Sequence, residues 1–105
     1  MEIMREKVYT NSVGDYHRDD GPAVEYANGD KEWWVNGRVH RIDGPAVEYA
    51  NGDQEWWLNG LRHREDGPAI DYIGGSKYWY FKGDLRRSEF ADGTVQNWMN
   101  GEKIS

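Results

Sequence analysis

From His40 to Gly60 the chain reads HRIDGPAVEYANGDQEWWLNG, and this stretch decides the fold because it returns at a strict spacing of 23 residues. One copy starts at His17, the next at His40 and a third at His63; a degraded fourth starts at Arg86. Residues 17–39 and 40–62 agree at 18 of 23 positions, and residues 40–62 and 63–85 at 10 of 23. A fixed period of this length marks a repeat architecture, and it outranks every local motif.

Two Asn-Gly pairs punctuate each of the first two copies: Asn28-Gly29 with Asn36-Gly37, then Asn51-Gly52 with Asn59-Gly60. Asn-Gly between alternating runs predicts tight hairpins in which both turn residues take positive φ. Strands are expected over Ala23 to Ala27 and Asp30 to Val35, with Arg38 to Arg41 extending a strand or linking to the next hairpin. Pro45 lacks an N–H to donate and marks a strand start or a bend. The expected fold is all-β: an antiparallel meander of repeated β-hairpins in an elongated twisted sheet, with about eight or nine strands.

The units divide as residues 1–16 (an N-terminal cap or half repeat), 17–39, 40–62, 63–85, and a shortened capping repeat at 86–105, all in a single domain. In the first cap Thr10-Asn11 aligns with Trp33-Trp34, so the aromatic pair reads as replaced by polar residues, and Lys7-Val8-Tyr9 reads as an edge strand. A polar end stops further stacking. In the last copy five residues are missing, the Asp-Gly-Pro-Ala turn among them.

Composition fits this picture. A chain of 105 residues is one domain at most. Only 37% of it is hydrophobic, but six Trp, seven Tyr and two Phe bury large areas, and thirteen glycines against three prolines point to strands and turns. No cysteine is present, so disulfides and thiolate metal sites are excluded. No apolar run approaches the roughly 20 residues of a membrane span. The start, MEIMREKVYT, lacks the apolar core of a signal peptide, so a soluble cytoplasmic protein is expected. A net charge of -6 argues against duplex nucleic acid as partner and permits a basic protein.

Alternation along the strands sorts the side chains onto two faces. Trp33 and Val35 share one side; Glu32, Trp34 and Asn36 share the other. The second aromatic persists in every copy as Trp34, Trp57, Tyr80 and Trp98, and is the expected core row. The first runs Trp33, Trp56, Trp79 and lapses at Asn97. A single sheet cannot hide both faces, so this first row, with Val35, Leu58 and Phe81, is either closed off by curling or presented to a partner or second copy. Trp and Tyr in such a row make natural binding hot spots.

Residues that tempt a catalytic or metal reading are better explained by the repeat. His17, His40 and His63 would recur about 10 Å apart, against a Zn–N bond of about 2 Å, and the position becomes Arg86 in the fourth copy. They read as wiring, hydrogen-bonding with the following arginine to the Asp-Gly-Pro turn. Arg18, Arg41, Arg64 and Arg87 form one ladder and Glu25, Glu48, Asp71 and Glu89 another, to be neutralised by pairing across ladders. Unpaired, the arginines would suit phosphates or carboxylates. Asp19-Asp20, Asp43 and Asp66 are ordinary turn chemistry, without EF-hand spacing. No catalytic residue, metal ligand or cofactor site is assigned. The candidate partner-contact residues are Trp33, Trp56, Trp79, Arg41, Arg64, Glu32 and Glu55.

The pattern H-R-x-D-G-P-A-[VI]-[ED]-Y, the 23-residue period and the Asn-Gly turns resemble MORN repeats, specifically their divergent bacterial and viral relatives, over roughly residues 7–101. The His-Arg-x-Asp element departs from the ordinary MORN pattern and is similar to proteins encoded by phages and large DNA viruses. The resemblance implies hairpin sheets used for protein contact, sometimes lipid contact, and not for catalysis. It also implies a small phage-type inhibitor of a host or defence protein (an anti-CRISPR role included), acting in host cytoplasm; the homodimer is an expectation from the leftover aromatic row alone. The function expected is therefore a non-catalytic protein–protein interaction module. The alternative is a protein that sequesters a small ligand or nucleotide with its Arg and Trp rows.

Overall fold

The computed structural model describes residues 5–105; the first four residues of the expected N-terminal cap lie outside the described residues. Fourteen short strands and no helix are found among the described residues. No helix there is long and apolar enough to cross a membrane. The sheet is an open antiparallel meander, as the repeat predicts, with overall extents of 46 × 28 × 23 Å.

The first two full copies each lay their chain down in two columns. In the copy starting at His17, β2 (Val24–Tyr26) and β3 (Lys31–Glu32) join the main sheet, while β4 (Trp34–Val35) and β5 (Arg38–Val39) form a separate hairpin beside it. The next copy repeats this with β6 (Val47–Glu48), β7 (Gln54–Glu55), β8 (Trp57–Leu58) and β9 (Leu61–Arg62). The main sheet runs β1 (Arg5–Val8), β2, β3, β6, β7, β10 (Ile70–Asp71), β11 (Lys77–Phe81), β12 (Asp84–Glu89), β13 (Val95–Met99) and β14 (Glu102–Lys103). The six-residue strand expected over Asp30 to Val35 is thus broken at Trp33, and the strand count exceeds the eight or nine expected. The reason is a change of partner: the Trp33 N–H bonds Ala46 O in the main sheet, and its carbonyl accepts from His40 N beside the second hairpin. In the third copy the same place, Trp79/Tyr80, is a bulge inside a continuous strand.

The two Asn-Gly pairs of a copy fold differently. Asn36 and Asn59 have φ of 47° and 50°, each followed by a positive-φ glycine, which makes the two-residue turns expected. Lys82 (φ 48°) and Asn100 (φ 52°) do the same in later copies. Asn28 and Asn51 do not take positive φ. Their turns place only the glycine there, with Tyr26 N bonded to Asp30 O and Gly29 N to Tyr26 O, a wider loop closed by a glycine bulge. Longer spacing between the paired strands, Glu25 to Lys31, demands that wider loop.

Cross-strand pairing divides the main sheet into an inner and an outer row. Inward lie Val24, Glu32, Val47, Glu55, Ile70, Tyr78, Ser88 and Gln96, one opposite the next. Outward lie Lys7, Glu25, Lys31, Glu48, Gln54, Asp71, Lys77 and Glu89. The acidic positions that seemed to stack as like charges are therefore interleaved with Lys31, Gln54 and Lys77 from the intervening strands. Opposite charges directly across a strand pair stabilise it.

The buried centre is aliphatic and small: Ala23, Val24, Ala46, Val47, Ala69 and Ile70, all from the Pro-Ala-[Val/Ile] segment. Both tryptophan rows remain partly exposed, including the expected core row of Trp34, Trp57, Tyr80 and Trp98. The hairpins pack that second row over the inner face without sealing it. Glu32 sits among these rings, accepting from Tyr26 Oη (3.3 Å) and Trp34 Nε1 (3.0 Å); Glu55 accepts from Tyr49 Oη (3.1 Å) and Trp57 Nε1 (2.9 Å). Copy three replaces this carboxylate with Tyr78, whose ring stands edge-on to Tyr72 and Phe90.

The N-terminal cap corrects one expectation. Tyr9, not a polar residue, fills the first aromatic position: its N–H bonds Ala23 O and its carbonyl accepts from His17 N, as at Trp33. The loop to His17 is one residue longer than the loop from Trp33 to His40, which displaces the sequence alignment by one.

Candidate functional site

The second residue of every copy is an arginine whose guanidinium lies over the preceding copy's first aromatic. Arg18 covers Tyr9 at 4.1 Å from ring centroid, Arg41 covers Trp33 at 4.0 Å, Arg64 covers Trp56 at 3.8 Å and Arg87 covers Trp79 at 5.2 Å. Stacking of a planar guanidinium on an aromatic face is a favourable cation–π contact. The edge of the same group ties down the next loop. Arg41 donates from Nε to Asp43 (3.1 Å) and from Nη1 to Pro45 O (3.1 Å), and Arg18 and Arg64 repeat both bonds. Pairing with the glutamate ladder holds at Arg41–Glu48 (2.9 Å), Arg18–Glu25 (3.7 Å) and Arg87–Glu89 (3.2 Å). It fails at Arg64, because Asp71 is one carbon shorter and is taken by Lys77 at 2.6 Å.

The histidines have a second role beside the expected one. Their Nδ1 atoms accept the N–H of the first turn residue in the second half of the same copy: Asn36 to His17 (3.0 Å), Asn59 to His40 (2.9 Å) and Lys82 to His63 (2.8 Å). The Asp-Gly-Pro loop is held in every full copy by arginine, and His17 Nε2 adds a contact to Asp19 (3.2 Å) and His63 Nε2 one to Glu65 (3.7 Å).

The successive loops at Asp19–Gly21, Ile42–Gly44 and Glu65–Gly67 wall two grooves between them. One groove, of about 770 Å³, is floored by Trp33 and Val35; the other, of about 740 Å³, by Trp56 and Leu58. Ile42, 85% exposed, sits on the ridge between them. The rims are acidic. Asp20, Asp43 and Asp66 each give one oxygen to the arginine, yet their side chains stay 86–87% exposed, and Asp19 and Glu65 stand beside them. The fourth copy lacks this loop, and Trp79 and Phe81 line neither groove.

The seven candidate contact residues therefore divide. Trp33, Trp56, Trp79, Arg41 and Arg64 come together on the outer, grooved face. Glu32 and Glu55 lie on the inner face, bonded to Tyr and Trp, with Glu55 only 8% exposed. Sequence reasoning missed Ile42 and the acidic rim as a surface feature, because the turn chemistry of Asp-Gly-Pro accounted for those residues completely. Among the described residues no cluster of His, Asp or Glu has the geometry to hold a metal ion.

No family model, no curated protein and no solved structure matches this chain.

Proposed function

We propose that this chain is a non-catalytic protein-binding module that meets its partner with the grooved outer face. One observation carries the reading: two equivalent grooves, floored by tryptophan and rimmed by exposed carboxylates, are repeated side by side on a rigid frame. Half-exposed tryptophans beside a free apolar ridge supply contact area at little cost in side-chain entropy. A divergent MORN-like protein of the phage, viral or bacterial kind accords with this use of a hairpin sheet, and inhibition of a host or defence protein in the cytoplasm is the role we assign to it. The nucleotide-binding alternative draws less support. The guanidinium edges that a phosphate would need already donate to Asp43, Pro45 and Glu48 in the case of Arg41. The Nδ1 atoms a general base would use are likewise occupied by backbone N–H groups.

The test is recovery of the tagged protein from bacterial lysate followed by native mass spectrometry, alongside Ile42→Lys. A bound protein present on the parent and absent from the variant, with an unchanged circular-dichroism spectrum, is the expected result. A partner held equally by both would place the interface on another face, and an added mass of a few hundred daltons would restore the ligand reading.

A further inference from the structure

The grooves and ridges carry enough geometry to specify the backbone of what binds them. Resting on the protein-binding reading, we infer that the grooved face recognises a basic polyproline II segment with one Lys or Arg at every third residue.

Pitch comes first. Each copy contributes two strands to a column, so equivalent ridges recur about 9.6 Å apart. A polyproline II helix turns once every three residues with a rise of about 3.1 Å each, or about 9.3 Å per turn. Over the two intervals between the ridges at Asp20, Asp43 and Asp66, the mismatch is only about 0.6 Å. A β-strand covers three residues in about 10 Å, but its side chains alternate, so residues three apart point to opposite sides. An α-helix brings residues seven apart to one side at about 10.5 Å, and drifts by nearly 2 Å over the same two intervals. Only the polyproline helix keeps both pitch and face.

Chemistry follows the same pattern. The ridge carboxylates Asp20, Asp43 and Asp66 keep an oxygen free of their arginine, facing water, once per repeat. Between them Trp33 and Trp56 form apolar floors, the surface against which proline rings pack in grooves of this kind. Cations on the ridges and prolines in the grooves then alternate as the face does. The chain's net charge of -6 draws such a ligand in.

The decisive probes are two fluorescein-labelled peptides of identical composition, (Arg-Pro-Pro)×3 and (Arg)×3(Pro)×6, titrated against the full chain by fluorescence anisotropy at physiological salt. The in-phase peptide is expected to bind about tenfold tighter or better, and Ile42→Lys and Glu65→Lys are each expected to weaken it by about tenfold while the out-of-phase peptide changes less. Equal binding of the two peptides, or no binding of either, overturns the inference. The in-phase peptide is also added to the captured complex. If it fails to displace a partner that Ile42→Lys releases, the periodic-ligand inference fails and the protein-binding reading survives. If Ile42→Lys releases neither peptide nor partner, both fail.

Discussion

Glu55 is the residue on which the inner face turns. Its two oxygens take the Tyr49 hydroxyl and the Trp57 indole N–H, so truncating it strands two polar groups among rings. Glu55→Ala is expected to cost about 2–3 kcal/mol by urea denaturation. The equivalent Glu32→Ala costs less, because Glu32 is more exposed. Burial, followed by the adjacent Glu55 charge and its hydrogen bond, pushes the Tyr49 hydroxyl well above the ordinary tyrosine value of 10.0. Burial raises Tyr72 in the same direction. The folded protein resists ionising these phenols while the unfolded chain does not, so their contribution is complete below about pH 10 and is lost as pH rises toward the folded values. Alkaline unfolding followed by tyrosinate absorbance should therefore begin above about pH 10, and Tyr49→Phe should reduce its steepness.

At the level of the element, loops and turns carry the specificity. A Cβ built on Gly44 would come within 3.0 Å of the Arg41 guanidinium carbon, and the same approach recurs at Gly21 and Gly67. Gly44→Ala should shift the Arg41 guanidinium over Trp33 by a few tenths of an ångström and cost about 1 kcal/mol in thermal denaturation, with a changed near-ultraviolet tryptophan signal. Lys82 holds φ of 48° where its counterparts are asparagine, so Lys82→Asn should stabilise by about 1 kcal/mol at unchanged denaturant slope. Here the limits of sequence reading become physical. The hairpin period, the strand faces and the Arg–Glu pairing followed directly from spacing. The break at Trp33 did not, since which backbone partner a residue takes depends on the stacked neighbour copy rather than on its own alternation. Nor did the aliphatic core: alternation put Ala23 and Val24 in a strand but made the aromatic row the core, whereas in the fold Ala23 and Val24 are the ones fully covered. The Tyr9 substitution hid behind a one-residue loop extension. On the outer face Trp33, Trp56 and Trp79 were legible as a row, whereas the groove walls are set by how the successive loops fold.

Across the whole molecule the staples run in one direction. His17 closes the turn at Asn36, His40 the turn at Asn59, Asp30 binds Ala50 N at 2.7 Å, and Asp53 binds Ile73 N at 2.9 Å. The hairpin β6–β7 has such ties on both sides, to Asp30 through Ala50 N and from Asp53 to Ile73 N, and β10 has one through Ile73. Hydrogen exchange should accordingly find the slowest amides at Val47, Glu55 and Ile70 and the fastest at Glu102 and Lys103; uniform protection would contradict a stack of nearest-neighbour units.

Because the joints between full copies are closed by groups that one 23-residue unit supplies to the next, Asp30 to Ala50 N and Asp53 to Ile73 N among them, the gene could be lengthened or shortened by whole units without redesigning any joint. Slippage during replication, rather than point substitution, is then the natural way for such a protein to change its reach. One added copy would turn two grooves into three, extending the ruler by a single notch and leaving its gradations unaltered.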